Sequence, residues 1–107
     1  MNNFIEISPQ RAWEKVNTDN AIIVDIRNTI HYNHSYPKTA IHLNNQNCQE
    51  FLNSCEYDQP IMIICYHGIS SRNTAQFFIE QGFDDIYSIT GGFEAWQKAG
   101  LPIEMGC

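Results

Sequence analysis

The chain reads as an α/β domain of three layers, with a central, mainly parallel sheet flanked by helices. Three observations predict this. Short apolar runs rich in β-branched residues at Ala21-Ile22-Ile23-Val24 and Ile61-Met62-Ile63-Ile64 show the pattern of buried strands, and Asp85-Ile86-Tyr87-Ser88-Ile89 adds a further strand. Segments of helical period separate them. Strands that alternate with helices pair in parallel through crossovers. The 107 residues suffice for one domain spanning 1–107 with a modest core, and no linker or repeat divides them.

In chain order, Phe4-Ile5-Glu6-Ile7 is a first strand. Ser8-Pro9 then starts a helix, Ser as N-cap and Pro at the first helical position. Ala12, Trp13 and Val16 lie on one side of it, and it fades in the polar turn Asn17 to Asn20. Ala21 to Asp25 is the second strand, followed by a helical turn from Thr29 to Asn33. His34 to Thr39, with Pro37, is loop. Ala40 to Leu43 is a short strand. Gln46 to Ser54 is a helix capped by Asn44 or Asn45, with Phe51, Leu52 and Cys55 inward. A turn at Tyr57 to Pro60 leads into the central strand, Ile61 to Cys65. Asn73 to Gln81 is a helix with Ala75, Phe78 and Ile79 on one face, stopped by Gly82. Asp85 to Ile89 is the last strand, Thr90-Gly91-Gly92 a tight turn, and Phe93 to Lys98 the last helix. The tail to Cys107 is expected to be irregular. Trp13, Phe77, Phe78 and Trp96 are expected in the core.

A net charge of −6 argues against nucleic acid or an anionic membrane as a partner. The N-terminus lacks the basic and apolar regions of a signal peptide, and no apolar run can cross a bilayer. A cytoplasmic location is the expectation. Cys48, Cys55, Cys65 and Cys107 match no zinc spacing, and with no sign of export they are read as reduced thiols. Cys48 and Cys55, seven apart on one helical face, read as packing. Cys107 reads as a free tail thiol. His31, His34 and His42 lack a metal pattern and read as loop anchors or surface. No metal and no cofactor is expected.

Cys65 stands apart, because it sits where a buried strand ends and a helix is about to begin. That position aims backbone N–H groups and a positive helix end at the sulfur, which stabilises a thiolate and any anion it attacks. No Asp or Glu occurs between Asp58 and Glu80, and Arg72 is the only full charge in that interval. In Cys65-Tyr66-His67-Gly68-Ile69-Ser70-Ser71-Arg72, Gly68 permits a positive φ, so successive N–H groups can converge. Ser70 and Ser71 offer hydroxyl donors and a helix N-cap, and Arg72 a fork that suits oxyanions. Tyr66 and His67 decorate the rim. A ring of weak donors suits the diffuse charge of a persulfide better than one strong base would, which favours sulfur transfer over peptide hydrolysis.

Cys65-Tyr66-His67-Gly68-Ile69-Ser70 resembles the six-residue active loop of the rhodanese family, specifically its single-domain bacterial thiosulfate sulfurtransferases of the GlpE type. Val24-Asp25-Ile26-Arg27 is similar to the family's early Asp-x-Arg motif. Asn33-His34 with Ala40-Ile41-His42-Leu43 resembles its Gly-His…Gly-Ala-x-x-Leu segment. Tyr87 to Trp96 resembles its Gly-Gly-x-x-x-Trp motif. Two departures stand out: Asn33 replaces the glycine before the histidine, and the segment from His34 to Ala40 is about two residues longer than usual. The resemblance implies a rhodanese-like fold and a two-step, ping-pong reaction. Cys65 takes the sulfane sulfur of thiosulfate as a persulfide, releases sulfite, and passes the sulfur to cyanide or a thiol, such as a dithiol protein like thioredoxin. It implies no cofactor.

Other readings compete. In a phosphatase or arsenate reductase on the same scaffold, Cys-x5-Arg would close a larger loop round a tetrahedral anion. Here Ser71 stands six after Cys65 and Arg72 seven, which fits the shorter loop. A non-catalytic sulfur carrier or interaction module is a third reading. Arg72 reads equally as a solvated helix residue. Asp25 and Arg27 read as structural support near the site.

Overall fold

The computed structural model describes residues 3–106. Five strands, β1 (Ile5–Ile7), β2 (Ile22–Asp25), β4 (Ile41–His42), β5 (Ile61–Ile64) and β6 (Ile86–Ile89), form one sheet in the order β1-β6-β5-β2-β4. Every pairing in it is parallel. Period-two alternation divides the core. Met62 and Ile64 of β5 face Ala12 of α1 (Pro9–Asp19) and Phe93 and Trp96 of α5 (Gly92–Lys98). Ile61 and Ile63 face Leu52 of α3 (Cys48–Ser54) and Ala75 and Phe78 of α4 (Ser70–Glu80). β5 is therefore apolar at every position and wholly buried, each side chain contributing about 1.5–3 kcal/mol by leaving water. Helices cover both faces, as alternating elements predict, and the architecture is that of three layers.

Ser8 caps α1, its hydroxyl accepting from the Arg11 N–H at 3.2 Å. The helix runs on to Asp19 instead of fading at Asn17. Lys15 and Asp19 pair at 2.8 Å across its last turn, and Asn20 takes a left-handed φ of 59° to close it. α3 starts at Cys48, two residues later than expected. Asn44 turns the chain first, its side-chain oxygen accepting from the Gln46 and Asn47 N–H groups at 2.9 and 3.0 Å.

Two expectations fail together. The segment after α2 (Thr29–His34) is not plain loop, and the tail is not irregular. β3 (Tyr36–Pro37) pairs antiparallel with β7 (Ile103–Glu104) in a separate two-stranded sheet. The Thr39 N–H donates to the Glu104 carboxylate at 3.1 Å, and the Trp96 indole donates to the Pro102 carbonyl at 2.9 Å. Tyr32 stacks between Tyr36 and His42 with centroids 4.4 Å from each. The longer segment is thus held as a strut to the C-terminal region. Phe77, expected in the core, is 41% exposed because it lies on the outer side of α4. Cys107 lies outside the described residues. Among these, no helix is long and apolar enough to cross a membrane.

Candidate active site

The loop from Cys65 is fixed from below by α5. The N–H groups of Phe93 and Glu94, in the first turn of that helix, donate to the carbonyls of Cys65 at 2.8 Å and Tyr66 at 3.1 Å. So close an approach needs glycine. Gly91 and Gly92 have φ of 76° and 62°, and a Cβ on Gly92 would lie 2.5 Å from the Tyr66 carbonyl oxygen. Gly68, with φ of 86°, completes the fit from above, since a Cβ there would stand 2.6 Å from the Gly91 nitrogen. The loop is clamped between two left-handed turns.

That backbone converges on one sulfur. The N–H groups of Gly68 and Ser71 point at Cys65 Sγ at 3.1 and 3.3 Å, and the Ile69 backbone adds a third bond. Ser71 Oγ is 3.3 Å from the same atom. α4 begins at Ser70, three residues earlier than expected, with Ile69 at the capping position and no side-chain cap. The Cys65 sulfur takes the place of that cap, accepting from first-turn N–H groups that a Ser or Asp oxygen would otherwise serve. This is why helix and loop overlap: the cap comes from five residues upstream and leaves no local signature. Burial, which by itself pushes the Cys65 thiol up, is outweighed by the Ser71 hydroxyl and the Ser71, Gly68 and Ile69 N–H groups, and the balance lowers its pKa.

The expected site residues divide. Gly68, Ile69 and Ser71 hold the sulfur through backbone or hydroxyl. Tyr66, His67 and Ile69 form the outer rim, Tyr66 46% and Ile69 64% exposed. Ser70 is exposed and does not cap the helix with its side chain. Arg72 turns away, its Nε 3.2 Å from Glu6 on β1, and both side chains are about half exposed. Asp25 and Arg27 form a buried pair at 2.7 Å, and Arg27 also donates to the Ser35 carbonyl and lies 4.0 Å over the Phe93 ring. They brace α5 and the β2–α2 junction. His42, as an anchor, bonds the Arg27 carbonyl at 2.8 Å through Nε2.

The linear window free of acids does not survive folding. Glu94 is brought to His67, Oε1 to Nδ1 at 3.4 Å, and Glu6 to Arg72. Arg72, the one full charge of the loop, is thereby paired, and His67 has a carboxylate beside it. Ser88 was not anticipated at all. It is wholly buried on β6, and its Oγ lies 2.7 Å from Ser71 Oγ. Its signal in the sequence was a hydroxyl at an inward position of an otherwise apolar strand.

A cleft of about 660 Å³ opens beside the site, lined by Asn28, Asn44, Asn45, Asn73, Thr74 and Phe77 among others, and by no residue from Cys65 to Ser71. Cys48 lines it, and burial raises the Cys48 and Cys55 thiols, in keeping with packing roles. No group of three or more His, Cys, Asp or Glu among the described residues is arranged to hold a metal.

A parallel α/β sheet with a cysteine cupped by amides at the end of its central strand defines a class. The rhodanese-like domain model matches residues 8–99, and the chain belongs to this family. At the level of particular proteins, it is 50% identical over 103 residues to a protein of Glaesserella parasuis serovar 5 (strain SH0165) named thiosulfate sulfurtransferase GlpE, covering 96% of this chain and 95% of that one. A protein of the same name from Actinobacillus pleuropneumoniae serotype 3 (strain JL03) is 52% identical over 101 residues, covering 94% of each. Among solved structures, a rhodanese-like domain protein from Staphylococcus aureus superposes with a TM-score of 0.81 at 22% identity, covering 97% of this chain and all of that one. A rhodanese-like domain from an Anabaena species gives 0.84 at 17% identity, covering 94% and 78%. These two similarities bear on the fold alone.

Proposed function

We propose that the protein is a thiosulfate sulfurtransferase working through a persulfide on Cys65. The observation that carries this is the set of backbone N–H donors converging on one buried sulfur, with the Ser71 hydroxyl against it and no guanidinium beside it. In the first step the Cys65 thiolate attacks the sulfane sulfur of thiosulfate. A new S–S bond forms, the S–S bond of thiosulfate breaks, and its electron pair leaves with sulfite. In the second step an acceptor, cyanide or a thiolate, attacks the outer sulfur, and the electron pair of the Cys–S–S bond returns to Cys65 as thiolate. Charge is conserved in each step. No redox partner and no cofactor is needed, and the kinetics are ping-pong.

Gly68, Ile69 and Ser71 stabilise the sulfur anion, while Tyr66, His67 and Ile69 form the surface that an acceptor meets. We place the protein in the cytoplasm, with a dithiol protein such as thioredoxin as an acceptor. The phosphatase or arsenate reductase reading is weakened by Arg72, since the arginine such a loop needs is engaged with Glu6. Intact mass spectrometry after thiosulfate treatment tests the proposal. One added sulfur is expected, removed by cyanide with release of thiocyanate and absent from Cys65→Ser. No adduct, together with hydrolysis of an aryl phosphate, would instead point to phosphoryl chemistry.

A further inference from the structure

Beneath the loop lies a hydroxyl chain that the persulfide mechanism does not require. Ser88 Oγ on β6 is 2.7 Å from Ser71 Oγ, which is 3.3 Å from Cys65 Sγ. Ser71 and Ser88 are both fully buried. Each hydroxyl has a single proton to donate. When Cys65 is a thiol, its S–H points at Ser71 Oγ, and Ser71 donates onward to Ser88. When Cys65 is a thiolate, Ser71 must donate to the sulfur, so its oxygen is free to accept from Ser88. The polarity of the chain thus reverses with ionisation of the cysteine.

We infer that Ser88 is a positioning residue for sulfur transfer, turning the Ser71 hydroxyl toward Cys65 whenever that sulfur is anionic. The inference rests on the persulfide reading. Cys65 attacks as a thiolate and departs as a thiolate, so the relay acts at both steps. The sign follows from bond strength: a chain ending on an anion is strengthened more than one ending on a neutral thiol, because charge-assisted bonds are about twice as strong and polarise their neighbours. Removing Ser88 therefore weakens the thiolate state more and raises the Cys65 pKa. The charged groups on adjoining elements are paired, Asp25 with Arg27, Glu6 with Arg72 and Glu94 with His67. His67 lies two residues from Cys65 on the same loop and faces Glu94, so the measurement is made in a His67→Asn background, which leaves no imidazole beside the thiol.

The test is the pH profile of Cys65 alkylation by iodoacetamide, read on the Cys65 peptide by mass spectrometry. It requires no sulfur transfer, so it stays informative if thiosulfate turnover fails in the parent protein. Ser88→Ala is expected to raise the apparent pKa by about half a unit, and Ser71→Ala by about one unit or more. In the Ser71→Ala background, Ser88→Ala should shift nothing further. Ser88→Cys, which keeps the size and a weak donor, should fall between parent and alanine, and it serves if the alanine variant does not fold. No shift in either Ser88 variant, or an equal shift with and without Ser71, overturns the inference.

Discussion

Gly68→Ala tests the clamp that makes the site. The new methyl meets backbone, not a movable side chain: its carbon would lie 2.6 Å from the Gly91 nitrogen and 3.2 Å from both Gly91 Cα and the Gly92 nitrogen. Relieving this needs a separation of roughly 0.6–0.8 Å between two turns that are both left-handed, since atoms in contact stay at least about 3.3 Å apart. An L-residue at φ of 86° costs about 1–2 kcal/mol, and the forced contact about 1–3 more. The residue displaced is position 68 itself, whose own N–H points at the Cys65 sulfur at 3.1 Å. Losing one charge-assisted bond of about 1.5–3 kcal/mol lowers the rate by roughly 10- to 100-fold. The assay is thiocyanate formation from thiosulfate and cyanide, run beside thermal unfolding by circular dichroism. If Gly68→Ala kept activity within twofold and melted like the parent, the clamp argument would be wrong.

Arg72→Gln should change kcat/KM for thiosulfate less than about twofold, because an exposed, paired side chain contributes little; a tenfold loss would show that Arg72 reaches the donor. Asp25→Asn removes one partner of a buried pair and should destabilise by about 3–5 kcal/mol, seen in calorimetry as a fall in Tm of more than about 10 °C; an unchanged Tm would remove the bracing role. Glu94→Gln deletes a carboxylate at the rim and frees His67, so KM for the dianionic donor should fall roughly two- to fivefold at low ionic strength and converge with the parent in high salt; a gap that ignores salt would count against a field effect. Peptide-resolved alkylation should place the Cys65 thiol below its ordinary value of 9.0 and Cys48 and Cys55 above theirs. A folded pKa below the unfolded one means that the unfolded chain binds more protons in between. The Cys65 term of stability is therefore present above pH 9 and is lost as pH falls through the folded pKa, while the buried Cys48 and Cys55 terms are lost as pH rises past 9. Removing the Cys65 term by Cys65→Ser should flatten the rise in urea midpoint just below pH 9, and an unaltered slope would contradict the sign.

The parallel sheet was legible because its inner strands β2, β5 and β6 are buried on both faces, and the unbroken apolar run Ile61-Met62-Ile63-Ile64 reads as the central one. Helix starts that use local caps were also legible, as Ser8-Pro9 shows. The start of α4 was not, because its cap is a sulfur five residues upstream of the first helical residue. The β3–β7 pair was illegible for a different reason. Two residues cannot display alternation, and Tyr36 and Glu104 find each other only through the finished fold. At the site, the cysteine, Gly68 and Ser71 could be named from the turn chemistry they imply. The electrostatics could not. Counting charges along the chain left Arg72 as a lone cation, whereas Glu6 arrives from β1 to pair with it and Glu94 arrives from α5 beside His67.

A rim with no unpaired guanidinium bears on how one loop serves two intermediates. The proposed cycle moves a single negative charge between Sγ and an outer sulfur one S–S bond away, about 2.05 Å. A guanidinium close to Sγ would favour one position and slow departure from it. Several N–H dipoles, each contributing a fraction of a charge, spread the stabilisation over a region about as wide as the bond itself. Gly68 and Ser71 already serve the inner sulfur at 3.1 and 3.3 Å, and the rigid clamp beneath them by Phe93 and Glu94 holds that spacing while the charge moves. The pairing of Arg72 with Glu6 follows the same logic: it keeps a full charge near the loop from competing with the dipoles.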